Sequence, residues 1–148
     1  MTRPIRARFR RRRGGTLVEF AFVAVQLFLV LFAALEFGRM VLVYTNVANA
    51  ARVGARYAIV HGSTRTGSGV NGPSGPGQTV YIVNAVKDFA RPGLLDTSRL
   101  AITVTYPDGN SNAPGSRVTV RVVYSYDPFT ILPLRVPLGS TTEGIITF

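Results

Sequence analysis

Few residues in this sequence could carry out acid–base or metal chemistry. The chain of 148 residues has no cysteine, one histidine (His61) and seven acidic residues. Without cysteine there is no disulfide, thiolate nucleophile or cysteine-ligated metal. One histidine with scattered carboxylates is too little for a metal site or a Ser-His-Asp triad. The sequence therefore predicts a protein that is not an enzyme and that uses no metal, no cofactor and no small-molecule substrate.

One of the carboxylates lies where a charge is costly. Glu19 stands near the start of an apolar segment, residues 15–37. No proline occurs between Pro4 and Pro73, so no proline interrupts this segment. As a helix rising about 1.5 Å per residue, this segment is long enough to cross a bilayer core of about 30 Å. A carboxylate deep in the bilayer costs about 2.5–3.5 kcal/mol. Glu19 therefore either reaches the cytoplasmic headgroups or pairs with a positive group.

Basic residues are concentrated before this segment. The formal net charge is +10, and the seven arginines among the first 13 residues account for all but +3 of it. Arg10, Arg11, Arg12 and Arg13 directly precede the apolar segment, so the positive-inside rule predicts a single span with the N-terminus in the cytoplasm and the C-terminus outside. The arginines directly precede a membrane span and no recognised nucleic-acid-binding fold follows them, which argues against nucleic acid as the partner.

The residues around Glu19 form a motif. Residues 10–20 read RRRRGGTLVEF, in which a basic run is followed by Gly14, Gly15 and, four residues later, Glu19 and Phe20. The motif resembles the cleavage site of type IV prepilins. That resemblance implies cleavage after Gly14 by a membrane prepilin peptidase, which makes Glu19 the fifth and Phe20 the sixth residue of the mature chain. The new α-amino group could then pair with the buried Glu19 of a neighbouring subunit.

Beyond the span, residues 38–60 have the periodicity of an amphipathic continuation of the same helix. Glu36 and Arg39, three positions apart, mark the outer membrane interface. Small residues recur along one helix face and would allow another element to approach closely: Ala50, Ala51, Gly54, Ala55 and Ala58. The face either packs on the protein's own C-terminal sheet or contacts other subunits, and a pilin stalk does both.

The helix as a whole resembles the TadE-like group of pseudopilins of tight adherence (Flp) pilus systems. The likeness rests on VEF at residues 18–20, EFGR at 36–39 and NAARVGARYA at 49–58. It implies a minor pilin or pseudopilin of the bacterial cytoplasmic membrane that helps to assemble or prime an adhesion pilus. The implied partners are the lipid bilayer, a prepilin peptidase, other pilin subunits and the pilus assembly platform.

The remaining sequence predicts a small outer α+β domain. Residues 61–78 are rich in glycine and proline and read as a linker or exposed loop. Residues 79–91 predict a short helix, and its expected buried face is Val80, Val83, Val86 and Phe89. The fold class expected for residues 79–148, together with the long helix, is pilin-like: a transmembrane and amphipathic helix packed on a small antiparallel β-sheet.

Two alternating segments, residues 100–106 and 117–126, predict strands with one buried face. Three prolines in residues 127–140 are expected to exclude regular structure there, and Gly144 to Phe148 is expected to supply a last strand. Tyrosines at strand positions are expected mainly in the core, with an adhesive aromatic surface as the alternative. The apolar residues of Pro128 to Leu138 suggest a patch that docks on another subunit.

Other interpretations of the sequence remain open. The chain could be an uncleaved single-pass membrane protein whose outer domain binds a partner or the cell wall. Ala48-Asn49-Ala50 fits a signal-peptidase site but lies well past the apolar run. A phosphate-binding loop in residues 61–78 would lack the lysine that such loops carry.

Overall fold

The computed structural model describes residues 13–94, 96–129 and 135–148. Besides short 3-10 turns, the elements in these residues are α1 (Arg13–Val60), α2 (Val80–Ala90), β1 (Leu100–Thr105), β2 (Arg117–Tyr126) and β3 (Val136–Ile145). The long apolar helix and the small antiparallel sheet confirm the predicted α+β fold class. The chain divides into two compact units, an N-terminal unit that ends at Phe37 and a C-terminal unit, Gly38–Phe148.

The N-terminal unit consists of the first part of α1. Its large apolar side chains point outward on every side of the helix, among them Leu17, Phe20, Phe28, Leu31 and Leu35. The most apolar stretch of α1 has a mean hydropathy of 2.4 and is 0% buried, and the helix is long and apolar enough to cross a membrane. A helix that is apolar all round needs an apolar surrounding. This segment therefore associates with a membrane.

The C-terminal unit is built on a three-stranded antiparallel sheet with the order β1-β2-β3. The central strand β2 pairs with β1 from Leu100↔Tyr124 to Thr105↔Thr119 and with β3 from Arg117↔Ile145 to Tyr126↔Val136. Both alternating segments are strands, and Val118, Val120 and Val122 of β2 are fully buried. The predicted number of strands and the buried face of β2 are confirmed.

The predicted course of the third strand is wrong. Prolines were expected to exclude regular structure up to Ser140, yet β3 begins at Val136 and ends at Ile145, before the end of the expected strand Gly144 to Phe148. The reason is its position at the edge of the sheet, where Pro137 lies opposite Ser125. An edge strand is paired on one side only, so a proline without an N–H group is tolerated there.

The core lies between one face of the sheet and the two helices. It is formed by the small-residue face of α1, by one side of α2 and by the inward face of β2, with Val47, Ala51, Ile82, Val86, Val120 and Ile146 among its members. Full burial of one valine or isoleucine contributes about 1.5–3 kcal/mol. Tyr106, Tyr124 and Tyr126 are also buried. This confirms the expectation that these rings lie in the core and not on an adhesive surface.

Helix α2 buries only part of the predicted face: Val86 is buried as expected, but its buried neighbours differ from those predicted. Its buried residues are Ile82, Val86 and Ala90, whereas Val80 and Phe89 are 61% and 44% exposed. Steps of three drift around a helix of 3.6 residues per turn, so positions 80 and 89 end up on opposite sides of it. Residues four positions apart stay close to one face of the helix, and Ile82, Val86 and Ala90, which have this spacing, contact the core.

The glycine-rich residues 61–78 form a loop that is tied down at several points. Ser74 donates to the carbonyl oxygen of His61 from its N–H (2.6 Å) and from its hydroxyl (3.1 Å). The Tyr57 hydroxyl donates to the carbonyl oxygen of Val70 (2.5 Å), and the Asn112 amide donates to that of Ser74 (3.1 Å). Buried backbone groups are thereby satisfied. The segment is part of the C-terminal unit and is neither a free linker nor exposed throughout.

Candidate functional site

The residues predicted for cleavage and assembly lie in the first turns of α1. Gly14, Gly15, Glu19 and Phe20 are all exposed, and a side chain built at either glycine would have no neighbouring atom within 4 Å. Arg10, Arg11 and Arg12, which were predicted to set the topology, lie outside the described residues, and Arg13 is the first residue of the helix. The structure thus places an accessible glycine pair beside a carboxylate on an otherwise apolar surface.

Arg39, predicted to mark the outer interface, contacts the end of β2. Its Nε donates to the hydroxyl of Tyr126 (2.7 Å), and its Nη2 donates to the carbonyl oxygen of Asp127 (2.6 Å). The guanidinium carbon also lies 4.8 Å from the ring centre of Tyr126 and 4.0 Å from that of Phe129. Charge-assisted hydrogen bonds and stacking on aromatic faces are the contacts that a planar guanidinium makes best. Arg39 therefore joins α1 to the sheet within the C-terminal unit.

Asp127 connects this contact to further arginines. Its carboxylate accepts a hydrogen bond from Nη1 of Arg99 and lies 3.6 Å from Nε of Arg135. Arg99 also pairs with Asp96, with 3.2 Å between Nε and Oδ2. The hydrogen bond to Asp127 is the main cause that raises the pKa of Arg99. The pKa of Asp96 is lowered, chiefly because its carboxylate accepts hydrogen bonds from Ser98. Both groups are charged at neutral pH.

These residues surround a cleft of about 470 Å³. Its walls combine charged groups with apolar ones, including Arg39, Leu42, Arg99, Tyr126, Asp127 and Phe129. A second, shallower cleft of about 590 Å³ adjoins it at Leu42 and Gly93 and is lined further on by Asn46, Phe89 and Pro92. Leu42 and Phe129 are 71% and 82% exposed. This side of the C-terminal unit is therefore an amphipathic surface.

The small-residue face of α1 is used inside the chain. Ala50, Ala51, Ala55 and Ala58 are at most 2% exposed. At Gly54, a Cβ atom would lie 2.5 Å from Cγ2 of Val86 on α2 and 3.1 Å from Cγ1 of Val120 on β2. Only a glycine lets the three elements meet at this distance. Of the two roles predicted for this face, packing on the protein's own sheet is therefore the one that these residues perform within the chain.

Sequence reasoning missed the aromatic residues around Arg39. Glu36 and Arg39 were paired as an interface marker, but the contacts of Arg39 with Tyr126, Asp127 and Phe129 join positions almost ninety residues apart. The sequence did contain a signal for this contact: the predicted strand ends at the aromatic residue Tyr126, and a second aromatic, Phe129, follows three positions later. Within residues 13–94, 96–129 and 135–148, no cluster of three or more histidine, aspartate or glutamate side chains could hold a metal ion.

Comparison with known proteins concerns the helix. A family model described as TadE-like protein matches residues 14–56, which include every predicted cleavage, assembly, interface and packing residue from Gly14 to Ala55. Searches of the curated proteins and of the solved structures gave no significant match. The match confirms the resemblance to TadE-like pseudopilins. This family is a structural component of tight adherence pilus systems and is not known as an enzyme family.

Proposed function

We propose that this chain is a minor pilin or pseudopilin that a prepilin peptidase processes and that helps to assemble or prime a tight adherence pilus, with a part in surface adhesion. The precursor lies in the bacterial cytoplasmic membrane as a single span, N-in and C-out. The observation that most supports the proposal is the family match over residues 14–56, which combines Gly14 and Glu19 with an exposed apolar helix. Its partners are the bilayer, the peptidase, other pilin subunits and the assembly platform.

Processing would hydrolyse the peptide bond between Gly14 and Gly15. Water adds across this bond, which leaves a carboxylate on Gly14 and a new α-amino group on Gly15. The bond lies in the first turn of α1, where the helix frays. A glycine in a helix lowers its stability by about 0.5–1 kcal/mol relative to alanine, so the pair unwinds readily into the extended form that a peptidase binds. The arginine-rich leader, with most of the positive charge, is removed.

The cut changes the electrostatics around Glu19. Gly15 and Glu19 are four positions apart and lie on the same face of the helix. The new backbone amine and the carboxylate are therefore about 6 Å apart along the helix axis, and two packed helices with a matching offset could pair the amine of one with the carboxylate of the other. Pairing offsets the roughly 2.5–3.5 kcal/mol that an isolated carboxylate costs inside an apolar surrounding. Because the pair forms only in one register, Glu19 also sets the stagger between subunits.

The division of the helix supports separate roles for its two parts. The small residues after Gly38 are buried in the core of the C-terminal unit, whereas the large apolar side chains before Phe37 are exposed. Contacts with lipid, and later with other subunits, therefore fall to residues 15–37. The C-terminal unit would be carried by the helix as the part that faces the periplasm or the cell exterior.

The proposal is tested by the mass of the mature N-terminus. The full chain is expressed in a bacterium with and without a prepilin peptidase, and the membrane-bound product is analysed by intact mass. We expect a chain that starts at Gly15 only where the peptidase is present. Gly14→Leu should block the cut because the bulky side chain cannot enter the peptidase, and Gly15→Ala, the matched control, should be processed.

An intact Met1 in the presence of the peptidase would instead favour the uncleaved single-pass protein with a partner- or cell-wall-binding domain. A start at Ala51 would indicate cleavage by a signal peptidase. Either result contradicts the pseudopilin proposal.

A further inference from the structure

We propose that the two edges of the sheet form an interface between copies of this chain, in which β3 of one C-terminal unit pairs with β1 of the next and joins the two sheets. The partner is a second copy in the same membrane. The inference rests on the proposed function in one respect, because it requires that all copies are inserted in the same sense. The interface itself is argued from the C-terminal unit alone.

Both edge strands have an open side. Strand β2 pairs with β1 on one side and with β3 on the other, so one side of β1 and one side of β3 face away from the sheet. In the part of the chain that the structure describes, no backbone hydrogen bond of a turn or loop involves residues 101–105 or 136–145. The outward N–H and C=O groups of these strands are therefore available to a further strand from another chain.

The two edges lack the features that usually prevent such pairing. Strand β1 contains no charged residue, and the ten residues of β3 contain one, Glu143. Pro137 removes an N–H group near the start of β3, and no proline follows it within the strand. Proteins commonly protect edge strands with lysines, with prolines or with a covering segment. Strands in this state are suited to pairing with another chain.

The helices do not extend over either edge. Ile102 and Val104 of β1 and Leu138 of β3 lie on the core side of the sheet, but they are only partly buried, whereas Val120 and Val122 of the central strand are fully buried. A helix that projected beyond an edge would cover these side chains. A strand added there would bury them further, because neighbouring strands lie about 4.8 Å apart and their side chains on one face touch.

The direction of α1 within the C-terminal unit restricts which edges can meet. Arg39 contacts Tyr126 at the end of β2, and Gly54, fifteen positions later in α1, faces Val120, six positions earlier in β2. These separations are about 22 Å along a helix and about 20 Å along a strand. In this unit α1 therefore runs alongside β2 in the opposite direction, which is the direction of β1 and β3.

Pairing of two like edges conflicts with one of two requirements. In an antiparallel β3–β3 pair, the Gly38 ends of the two units lie at opposite ends of the joined sheet, which does not suit copies inserted in the same sense. In a parallel β3–β3 pair, the helices of the two copies cover opposite faces, so the partly buried Leu138 gains no neighbour on the core side. The same holds for two β1 edges.

Pairing of unlike edges meets both requirements. When β3 of one copy lies parallel to β1 of the next, both Gly38 ends lie at the same end of the joined sheet, and both pairs of helices cover the same face. Sheet twist of about 20–25° per strand turns the second copy without reversing it. Leu138 then lies beside Ile102 or Val104 of its neighbour. Each added copy leaves one further edge of each kind open, so the pairing can continue.

The absence of cysteine from the sequence allows this junction to be trapped by disulfides. Thr103 of β1 and Thr141 of β3 are exposed, and both lie opposite Arg121 of β2. Within one chain they are two strand spacings apart, about 9.6 Å, which is too far for a disulfide. Across the proposed junction they become neighbours. The full-length Thr103→Cys/Thr141→Cys protein is expressed with a prepilin peptidase, and its membranes are oxidised with copper phenanthroline for a non-reducing gel.

Two further double variants allow for the stagger between copies. Ala101→Cys or Thr105→Cys takes the place of Thr103→Cys, because a shift of two residues keeps a side chain on the same face. Both positions are exposed. Asn84→Cys/Thr141→Cys is the matched control, since Asn84 is exposed on α2 and not on a strand.

We expect at least one of the three strand pairs to form a ladder of dimers, trimers and higher multimers, because each copy carries both halves of the junction. The single Thr103→Cys and Thr141→Cys proteins should lose every band above the monomer, and the Asn84→Cys/Thr141→Cys control should lose every band above the dimer. No ladder in any of the three strand pairs would overturn the inference. Dimers of the Thr141→Cys protein at the same yield would overturn it too and indicate β3–β3 pairing. An equal ladder in the control would show random collision and would also overturn it.

The intact mass of the same samples separates failure of this inference from failure of the proposed function. If the chain begins at Gly15 and no ladder forms, the sheet junction is wrong and the processing stands. If a ladder forms in chains that retain Met1, the junction stands and the proposed processing is wrong.

Discussion

The Nε atom of Arg39 donates a 2.7 Å hydrogen bond to the hydroxyl of Tyr126, across a sequence separation of 87 residues. The bond connects the first turn of α1 in the C-terminal unit with the last residue of β2. Tyr126 is buried, and its ring faces the same guanidinium. One side chain therefore connects α1 with the end of β2 within this unit and also stacks on the ring of Phe129.

Replacing Arg39 by methionine should destabilise the C-terminal unit. The change keeps much of the aliphatic volume but removes the hydrogen bonds to Tyr126 and to the carbonyl oxygen of Asp127, and a hydrogen bond from a charged group contributes about 1.5–3 kcal/mol. We expect the free energy of unfolding to fall by about that amount. All six tyrosines lie in this unit, so urea titration in detergent followed by tyrosine fluorescence reports on it. Arg52→Met is the control and should change stability little, because Arg52 donates to Oδ1 of Asn49 on the exposed face of the helix.

Two glycine-to-alanine changes in α1 should have opposite effects. At Gly54 the new methyl group would meet Val86 at 2.5 Å, and overpacking of this kind costs about 1–3 kcal/mol. At Gly38 nothing lies within 4 Å, so Gly38→Ala should stabilise the helix by about 0.5–1 kcal/mol. The same urea titration measures both. If the Gly54→Ala protein were as stable as the unchanged chain, the close approach of α1, α2 and β2 would be wrong.

Acid should weaken the turn between β1 and β2. Asp108 accepts hydrogen bonds from the backbone N–H of Arg117 (2.7 Å) and from Nη2 of its guanidinium (2.7 Å). The side-chain bond of Arg117 is the main cause that lowers the pKa of Asp108 below its ordinary value of 3.8. A lowered pKa stabilises the fold above the unfolded-state pKa, and this contribution is lost as the pH falls through the folded-state value.

The free energy of unfolding should therefore decrease between about pH 5 and pH 3, measured by urea titration at each pH. Asp108→Asn should make this decrease smaller, because the residue no longer titrates. An unchanged slope in the Asp108→Asn protein would contradict the proposed contribution of Asp108.

Glu19→Ala should leave processing largely intact and impair assembly, because the carboxylate acts only after the new amine exists. The product is assayed for its N-terminal mass and for its share in sheared surface pili. Glu19→Gln removes the charge at nearly constant shape and should behave in the same way, since the effect is electrostatic. Accumulation of uncut precursor together with normal assembly of the cut fraction would argue against amine pairing.

The sequence predicted buried positions correctly where the spacing of apolar and small residues matched the repeat of a helix or a strand. Gly54 and its alanine neighbours recur at steps of three and four, and the alternation of β2 places Val118, Val120 and Val122 on one face. Both patterns follow from the geometry of the helix and of the strand. The positions of these residues in the core could therefore be predicted without knowledge of the fold.

Features that depend on tertiary neighbours were predicted less well. Pro137 is compatible with a strand only because β3 lies at the sheet edge, which the sequence does not show. On α2 the predicted face was Val80, Val83, Val86 and Phe89, and of these Val86 is buried, together with Ile82 and Ala90, which were not predicted. The contact of Arg39 with Phe129 joins segments far apart in sequence, and no local pattern encodes such a pair.

The contribution of α1 to the core has a practical consequence. Val47, Ala50, Ala51 and Ala55 belong to α1, yet they supply one whole wall of the C-terminal unit. A truncated protein that begins after the glycine-rich loop would lack this wall and would expose the valines of β2 to water. The shortest soluble fragment for crystallisation or binding studies should therefore begin at Gly38 or earlier, so that Arg39 and the complete small-residue face are retained.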